Sequence, residues 1–281
     1  MKTMILIGAG QMGQAALRLV NRTTWEVTAF ADNSKKLQGG TLCGLPILSV
    51  EEAAAQQPDC ILIAVAGEER TEQLRSQLGA LGCTGEIRTL VEYQQALDIR
   101  GAVFELLTER LAALPGDLAE LGVYQGEFAA RMSRCFPDRT LYLFDTFEGF
   151  DARDVSVESQ SGYSRAVEGE FADTSVDLIL SKMAAPERVV VRKGYFPETI
   201  PEEETSFALV SLDADLYEPT LQGLRYFYPR LVSGGVILMH DYRNARFSGV
   251  CAAVEAFEQE NGRMLLLPVG DLHGTAMIIH P

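Results

Sequence analysis

The chain contains the run Ala-Leu-Val-Ser-Leu-Asp-Ala-Asp-Leu-Tyr (208–217), in which apolar residues give way to two carboxylates. A second run, Val-Ile-Leu-Met-His-Asp-Tyr (236–242), ends in the same manner. Continuous apolar runs of this length are typical of buried parallel strands. Residues 218–231 predict a helix between them, followed by a turn at Gly234-Gly235. Because ligands bind at the carboxyl ends of strands in open α/β sheets, we expect the acidic tips to lie side by side at a functional site.

A glycine-rich turn lies upstream of these strands. It reads Glu-Leu-Gly-Val-Tyr-Gln-Gly (120–126) after a predicted strand at 118–121, and a helix is predicted over 127–134. The next predicted strand, 140–144, is followed by Asp145. Backbone at such a turn can approach a nucleoside, and the carboxylate can accept hydrogen bonds from a ribose diol. The glycine spacing suits S-adenosylmethionine, which has no phosphates; an ordinary strand–turn–helix connection with a solvated aspartate is the alternative.

The N-terminal region carries a different glycine pattern. Gly-Ala-Gly-Gln-Met-Gly (8–13) follows a predicted strand at 4–7 and opens a helix, and Asp32 follows the second predicted strand, 25–30. Such glycines allow a pyrophosphate to approach the helix N-terminus, and the acid can bind ribose hydroxyls; the alternative is a scaffold whose glycines serve packing alone. The nucleotide-binding residues predicted here are Gly8, Gly10, Gly13 and Asp32.

The order of strand and helix patterns predicts an α/β chain with two sheets. Residues 1–90 are expected to form a Rossmann-like βαβ domain, 91–116 a helical connector, and 117–281 a second α/β domain. Two apolar runs near the C-terminus, 264–268 and 275–279, are close in sequence. They predict an antiparallel hairpin at one edge of the second sheet.

Composition narrows the class of protein and its partners. The chain has 281 residues, 47% of them apolar, and a formal charge of −15, which argues against nucleic acid or an anionic membrane as a partner. Its five cysteines are scattered and are expected to be reduced, buried thiols. Because no apolar run has the length of a membrane span and the first one stops at glycines, we expect a cytoplasmic protein without a signal peptide.

Several segments of the second half carry a resemblance to a known family. They are residues 120–126, 145–150, 193–199, 212–220, 228–231, 234–235 and 240–242. In their order and spacing, residues from about 100 to 281 resemble the macrocin-type sugar O-methyltransferases, which are class I methyltransferases that modify deoxysugar hydroxyls on natural products.

The resemblance implies a class I methyltransferase sheet of seven mostly parallel strands with helices on both faces, an S-adenosylmethionine site and a divalent metal. The cofactor-binding residues that we expect are Glu120, Gly122, Tyr124, Gly126, Asp145, Thr146 and Phe147. The metal ligands and catalytic residues that we expect are Asp213, His240 and Asp241. The chain departs from the family at His240, where a second aspartate is common.

The acidic tips suit methyl transfer to an alcohol. A bound Mg²⁺ would orient a vicinal diol and lower its pKa, and Asp213 and Asp241 offer the oxygen ligands it prefers, with Asp215 nearby. His240 either shifts the preference toward Mn²⁺-like metals or serves as the general base. The alternatives are aspartates that only hydrogen-bond substrate and backbone, and a structural histidine.

Further residues could shape the pocket of the second substrate. The polar stretch 151–173 has little periodicity and is expected to be a long loop or lid. Tyr195, Phe196 and Tyr217 would lie near the same sheet edge, where they could wall a sugar pocket or belong to the core.

The N-terminal domain has a resemblance of its own. The segments that carry it are residues 5–13, 30–32, 44–47 and 61–65. They are similar to the Rossmann-like domain that precedes the acyltransferase in bacterial sugar-acyltransferase proteins, which implies a substrate linked to a nucleotide or glycan precursor.

These features together predict an S-adenosylmethionine-dependent O-methyltransferase, metal-assisted, acting on a sugar hydroxyl of a glycan precursor, nucleotide-sugar or glycosylated natural product. Two alternatives stay open. One is an NAD(P)-dependent oxidoreductase that uses the N-terminal glycine pattern, and the other is a non-catalytic S-adenosylmethionine-binding protein. The expected partner is a small sugar-containing acceptor, and a homo-oligomer is compatible with the sequence.

Overall fold

Strands and helices alternate along the chain, as its apolar runs predict, and they form two units, Met1–Asp98 and Ile99–Pro281. The structure is a computed structural model that describes residues 1–202, 205–244 and 246–281, without the side chain of Gln95. Within the described ranges, no helix has the length and apolar character needed to cross a bilayer.

The first unit contains a six-stranded sheet. Its strands are β1 (Lys2–Ile7), β2 (Trp25–Ala31), β3 (Thr41–Leu42), β4 (Leu45–Leu48), β5 (Cys60–Ile63) and β6 (Glu86–Thr89). Its helices are α1 (Gln11–Leu19), α2 (Val50–Ala55), α3 (Glu68–Ala80) and α4 (Leu90–Ala96). The sheet order is β3-β4-β2-β1-β5-β6, and all pairs except β3–β4 are parallel. Ile61 and Ile63 of β5 are fully buried in a cluster with Val50 of α2 and Leu78 of α3.

The second unit contains a seven-stranded sheet. Its strands are β7 (Asp117–Leu121), β8 (Leu141–Asp145), β9 (Val189–Lys193), β10 (Phe207–Leu212), β11 (Leu231–Met239), β12 (Leu265–Pro268) and β13 (Ala276–Ile279). Its helices are α5 (Ile99–Ala112), α6 (Glu127–Cys135), α7 (Ala152–Ser161), α8 (Val176–Lys182), α9 (Tyr217–Phe227) and α10 (Ser248–Asn261). The sheet order is β12-β13-β11-β10-β7-β8-β9. Strand β13 runs antiparallel to its neighbours β11 and β12, and the other six strands run parallel to one another.

Strand β10 shows why the apolar run at its position is continuous. All six of its residues are buried. Val210 belongs to a cluster with Leu224 of α9, while Leu209 belongs to a second cluster with Phe104 of α5 and Met132 of α6. Neighbouring residues of a strand point to opposite faces, so helices cover both faces of this sheet. The carboxylates of Asp213 and Asp215 come directly after the strand, where the chain leaves the buried core.

The polar stretch 151–173 differs from the long loop that the sequence predicts, because α7 forms in its first half. Asp151 caps this helix by accepting a hydrogen bond from the backbone N–H of Arg153 at 2.8 Å. Its buried side chains are Asp154 and Glu158, one turn apart on the same face. The loop prediction was wrong because it relied on apolar periodicity, and the inward face of α7 is acidic.

Other expectations have mixed outcomes. The hairpin prediction is confirmed, because β12 and β13 pair antiparallel. The turn expected at Gly234-Gly235 lies instead within β11, where the register of pairing with β10 shifts. Residues 91–116, the expected connector, are divided between α4 in the first unit and α5 in the second. Phe104 and Leu111 of α5 are fully buried in the core of the second unit.

Candidate functional site

The carboxylate of Asp145, at the end of β8, forms hydrogen bonds with the glycine turn that follows β7. Asp145 accepts hydrogen bonds at Oδ2 from the backbone N–H groups of Val123 at 2.7 Å and Tyr124 at 3.0 Å. Its Oδ1 accepts from the N–H of Phe147 at 2.7 Å. The predicted ribose-binding acid is therefore held rigidly beside the turn, and its oxygens keep lone pairs for further donors.

The glycine turn also packs closely against the end of β10. Gly122 has a φ of +81°, and a Cβ at this position would lie 2.0 Å from the carbonyl oxygen of Asp213. Only glycine satisfies both the left-handed backbone and the close approach. The turn and the first of the acidic tips are thus placed in direct contact by the main chain.

A cavity of about 380 Å³ lies at the carboxyl ends of β7, β8, β9 and β10, a volume within the range of small-molecule sites. The expected cofactor residues that line it are Glu120, Gly122, Tyr124, Gly126, Asp145 and Thr146. Phe147 is instead buried in the core beside α6 and α8. Glu120 is buried, its Oε2 has no hydrogen-bond partner among the described residues, and burial raises its pKa to about 8.

The acidic tips converge, as the sequence predicts. Ligand atoms of Asp213, Asp215, His240 and Asp241 all lie within 4.8 Å of one another. Nδ1 of His240 is 2.7 Å from Asp241 Oδ2 and 3.1 Å from Asp213 Oδ1. Asp213, Asp215 and His240 line the cavity, whereas Asp241 is buried, 3% exposed, and does not line it. The chain therefore places three carboxylates and one imidazole at one end of the cavity.

Burial and mutual charge perturb the whole cluster. Burial opposes ionisation of Asp213, but His240 and Arg100 hold its pKa well below the usual range. Burial and the charges of Asp213 and Asp241 raise the pKa of Asp215 well above its ordinary value. Burial opposes the protonation of His240, but the two adjacent aspartates raise its pKa well above the ordinary value. Groups perturbed in opposite directions at one end of a cavity indicate a functional site.

Arg100 is a site residue that the sequence analysis misses. It lies near the start of α5, lines the cavity and donates a hydrogen bond from Nη1 to Asp213 Oδ2 at 2.5 Å. The signal available was weak, because Arg100 is merely the one basic residue between Arg88 and Arg110. No motif marks it, and its partner follows more than a hundred residues later in the chain.

Two of the three predicted aromatic residues line the cavity. The hydroxyl of Tyr195 donates to Asp154 Oδ1 at 2.8 Å, and both side chains line the cavity together with Phe196. Burial raises the pKa of Asp154 to about 6. Tyr217 does not line the cavity and stacks on Tyr163, with ring centroids 5.2 Å apart.

In the first unit, the N-terminal glycine pattern forms a similar turn. Asp32 accepts hydrogen bonds from the N–H of Ala9 at 2.9 Å and from that of Ser34 at 2.8 Å. A Cβ at Gly13 would lie 1.9 Å from the carbonyl oxygen of Gly8. Close packing within the turn is therefore sufficient to explain why position 13 is a glycine. A Cβ at Gly10 would meet no atom within 4 Å. The fold therefore does not require glycine at position 10, and the space above it is open.

The order of the seven strands, with β13 inserted antiparallel beside β11, and the cavity at their carboxyl ends define a class I methyltransferase fold. The solved structure of CalS11, a calicheamicin methyltransferase, is similar in fold, with a TM-score of 0.54 and 20% sequence identity over 82% of this chain and 91% of that one. The chain belongs to the macrocin O-methyltransferase (TylF) family, whose model matches residues 88–277.

Two relatives with similar sequences are O-methyltransferases by name. The 8-demethyl-8-(2,3-dimethoxy-alpha-L-rhamnosyl)-tetracenomycin-C 4'-O-methyltransferase of Streptomyces olivaceus is 28% identical over 58% of this chain. The mycinamicin III 3''-O-methyltransferase of Micromonospora griseorubida is 30% identical over 46% of it. The matches span 65% and 56% of the lengths of these two relatives.

Proposed function

We propose that the protein is an S-adenosylmethionine-dependent O-methyltransferase that acts on a sugar hydroxyl. The observation that carries the proposal is the position of the acidic cluster, at the ends of β10 and β11, on the wall of the cavity that also contains the glycine turn and Asp145. Methyl transfer is an in-line displacement, in which the acceptor oxygen must face the sulfonium methyl. A cofactor subsite and a proton-accepting cluster in one cavity meet that requirement.

The wall beside the glycine turn fits S-adenosylmethionine. Gly122 allows close approach, Asp145 is fixed beside the turn, and the unpartnered Oε2 of buried Glu120 can accept a hydrogen bond from a cofactor donor. When bound, the cofactor supplies the methyl group as a sulfonium. We assign cofactor contacts to the lining residues and a supporting position to Phe147, which packs beneath the turn.

The acidic cluster fits a divalent cation. Crowding by Asp213 and Asp241 raises the pKa of buried Asp215, and a cation among these carboxylates would relieve that repulsion. We propose Asp213, His240 and Asp241 as ligands, with Asp215 within reach. Carboxylate oxygens suit Mg²⁺, while the imidazole nitrogen favours Mn²⁺-like metals. The ion would supply orientation of a vicinal diol and a lower hydroxyl pKa.

His240 is the residue that we propose as base or auxiliary ligand. Because its Nδ1 is held by Asp213 and Asp241, Nε2 is the ring atom available to take the hydroxyl proton. Proton transfer to Nε2 would leave an imidazolium that the two aspartates stabilise, while the bound cofactor would supply the methyl group to the acceptor oxygen. The neutral imidazole needed at the start is favoured when positive charge occupies the neighbouring cavity.

We further propose that the acceptor is a deoxysugar attached to a small molecule. Two relatives are named for 4'-O-methylation of a rhamnosyl-tetracenomycin and for 3''-O-methylation of mycinamicin III. The cavity wall also offers hydrogen-bonding groups on Asp154 and Tyr195 that suit polyhydroxylated ligands.

Mass spectrometry of methyl transfer tests the proposal. The purified chain is incubated with S-adenosylmethionine and a panel of glycosylated natural products and nucleotide-sugars, with Mg²⁺, Mn²⁺ or EDTA. A gain of one methyl group that EDTA suppresses is the expected result. Cofactor binding in calorimetry without methylation of any acceptor supports the non-catalytic alternative, and activity that EDTA leaves unchanged removes the metal from the proposal.

We also propose that the N-terminal turn binds a nucleotide. The open space above Gly10 and the position of Asp32 beside the turn support this assignment. Calorimetric titration with NAD(H) and with nucleotide-sugars tests it, with Gly10→Val as the variant expected to lose binding. Binding of NAD(H) by a chain that does not bind S-adenosylmethionine would favour the oxidoreductase alternative.

A further inference from the structure

An arginine that the proposed reaction does not use is fixed against the acidic cluster. Arg100 donates from Nη1 to Asp213 Oδ2 at 2.5 Å and from Nη2 to Ser211 Oγ at 2.5 Å. Ser211 donates in turn to Glu120 Oε1 at 2.8 Å. The guanidinium lies 4.3 Å from the centroid of the Phe128 ring, and only 12% of the side chain is exposed. Arg100 is therefore held in one place from several directions.

Both oxygens of the Asp213 carboxylate are already engaged. Arg100 occupies Oδ2, and Nδ1 of His240 lies 3.1 Å from Oδ1. A divalent cation that takes Asp213 as a ligand must therefore approach an oxygen next to an existing positive or proton-bearing group. Arg100 is charged at all accessible pH values, so this repulsion does not depend on a titration.

We propose that Arg100 is a positioning residue that competes with a divalent cation for Asp213. It holds the carboxylate toward the cavity and, because like charges repel most strongly where water is scarce, it lowers the affinity of the cluster for metal. The inference rests on the metal-assisted reaction proposed above. It predicts that Asp213 stays ordered without metal and that metal binds weakly to the free protein.

Competition between Arg100 and a metal ion predicts a different effect of removing Arg100 than a purely structural role does. If Arg100 only stabilised the fold, its removal would weaken every ligand of the cluster. If it competes, its removal strengthens metal binding while the unanchored Asp213 slows turnover. The two effects move in opposite directions, so one variant separates the two roles.

The test is a Mn²⁺ titration of the cofactor-free protein, followed by electron paramagnetic resonance of the unbound ion. Arg100→Met is expected to lower the Kd for Mn²⁺ about tenfold or more, since one charge in contact with a ligand oxygen is removed. The same variant should lose about a hundredfold in kcat with little change in the KM for S-adenosylmethionine. Arg100→Lys keeps the positive charge, and its Kd for Mn²⁺ should be close to that of the wild type.

Arg230→Met is the matched control. Arg230 also stacks on an aromatic ring, that of Tyr226 at 4.4 Å, and donates to a backbone carbonyl, but it does not line the cavity. It therefore removes the same charge without touching Asp213, and the Kd for Mn²⁺ should stay at the wild-type value. Equal tightening in both variants would reduce the effect to net charge and overturn the assignment to Arg100.

The outcomes separate this inference from the proposed function. A Kd for Mn²⁺ that is unchanged or higher in Arg100→Met overturns the competition. Should Arg100→Met misfold, Arg100→Lys together with Ser211→Ala decides: both keep the positive charge, so a large loss of Mn²⁺ affinity in either contradicts the inference. The proposed function is tested by a different measurement: if the wild type does not bind S-adenosylmethionine in calorimetry, the methyltransferase proposal fails.

Discussion

The two glycine turns of this chain are built alike, yet only one of them leads into a site with reactive groups. In each unit an aspartate at the carboxyl end of the neighbouring strand accepts hydrogen bonds from the turn, Asp32 from Ala9 and Asp145 from Val123 and Tyr124. This hydrogen-bonded turn is therefore a structural feature common to both units, and it stabilises the connection between a strand and the helix that follows. It is compatible with ligand binding and does not by itself specify a reaction.

The difference lies on the strands beside the turns. In the first unit β5 continues into Ala64-Val65-Ala66, whereas in the second β10 continues into Asp213 and Asp215. The reactive groups thus come from the tips of neighbouring strands, and the turns supply backbone. This comparison predicts that substitutions at strand tips change turnover, while equivalent changes at the turns change binding or stability.

The largest expected effect comes from Asp213→Asn. The change removes one charge from the cluster at almost constant shape, and we expect turnover to fall by about a thousandfold, the order found when a group that stabilises a transition state is removed. Affinity for S-adenosylmethionine should stay within about threefold, because the close approach of the glycine turn is to the backbone of residue 213, which the substitution leaves unchanged. Steady-state kinetics together with calorimetry measure both quantities.

Asp32→Asn is the matched control in the first unit. It alters the corresponding aspartate at a turn without acids on the neighbouring strand, so turnover should remain at the wild-type level. Activity that survives Asp213→Asn contradicts the role of the acidic cluster, and a large loss in Asp32→Asn would show that the first turn contributes to the reaction.

The second expected effect compares glycines of the two turns. Gly122→Ala places a Cβ 2.0 Å from a backbone oxygen at a φ of +81°, and should destabilise the protein by about 2–4 kcal/mol. Gly10→Ala places its Cβ in open space and should change stability by less than about 0.5 kcal/mol. Urea unfolding of both variants provides the measurement, and equal losses would contradict the packing difference between the turns.

Sequence patterns suffice for the fold because burial on both faces leaves a clear signal. The continuous apolar runs at β10 and β11 predict parallel strands, and their ends predict the convergence of Asp213 and Asp241, which the structure confirms. Spacing also predicts the position of the glycine turn beside Asp145. These features depend on local sequence and on the rule that parallel strands end at one edge.

The remainder of the site depends on contacts between residues far apart in the chain. Arg100 meets Asp213 only because α5 packs against the sheet, and nothing near Arg100 in sequence indicates that partner. Helix α7 escapes prediction because its buried face consists of Asp154 and Glu158, whose burial depends on Tyr195 and on the backbone N–H of Tyr217. Buried polar residues reverse the pattern on which periodicity relies.

A third effect sharpens the comparison between the two aspartates beside the turns. Asp145→Asn keeps the size of the side chain but replaces an oxygen that accepts from the turn, and it weakens acceptance from a ribose diol. We expect the Kd for S-adenosylmethionine to rise about 10- to 30-fold, equivalent to about one hydrogen bond to a charged group. Asp32→Asn should leave that Kd unchanged, and calorimetry distinguishes the two.

The smallest expected effect concerns a buried carboxyl group that has no counterpart in the first unit. Every buried carboxyl side chain of the described residues lies in the second unit, including Asp154. Burial raises the pKa of Asp154 from 3.8 to about 6, so the folded state favours the protonated form. That contribution to stability is complete below about pH 4 and is lost as the pH rises through about 6, so the folded protein is less stable at neutral pH than at pH 4.

Asp154→Asn removes this pH dependence while keeping an oxygen that can accept the hydrogen bond from Tyr195. The variant should match the wild type near pH 4 and exceed it in stability above pH 7, because only the wild type must then keep a buried carboxylate ionised. Urea unfolding at several pH values measures the difference. A constant difference in the free energy of unfolding across this range would mean that Asp154 ionises as easily in the folded protein as in the unfolded chain. Burial of this carboxyl group on α7 would then not destabilise the protein at neutral pH.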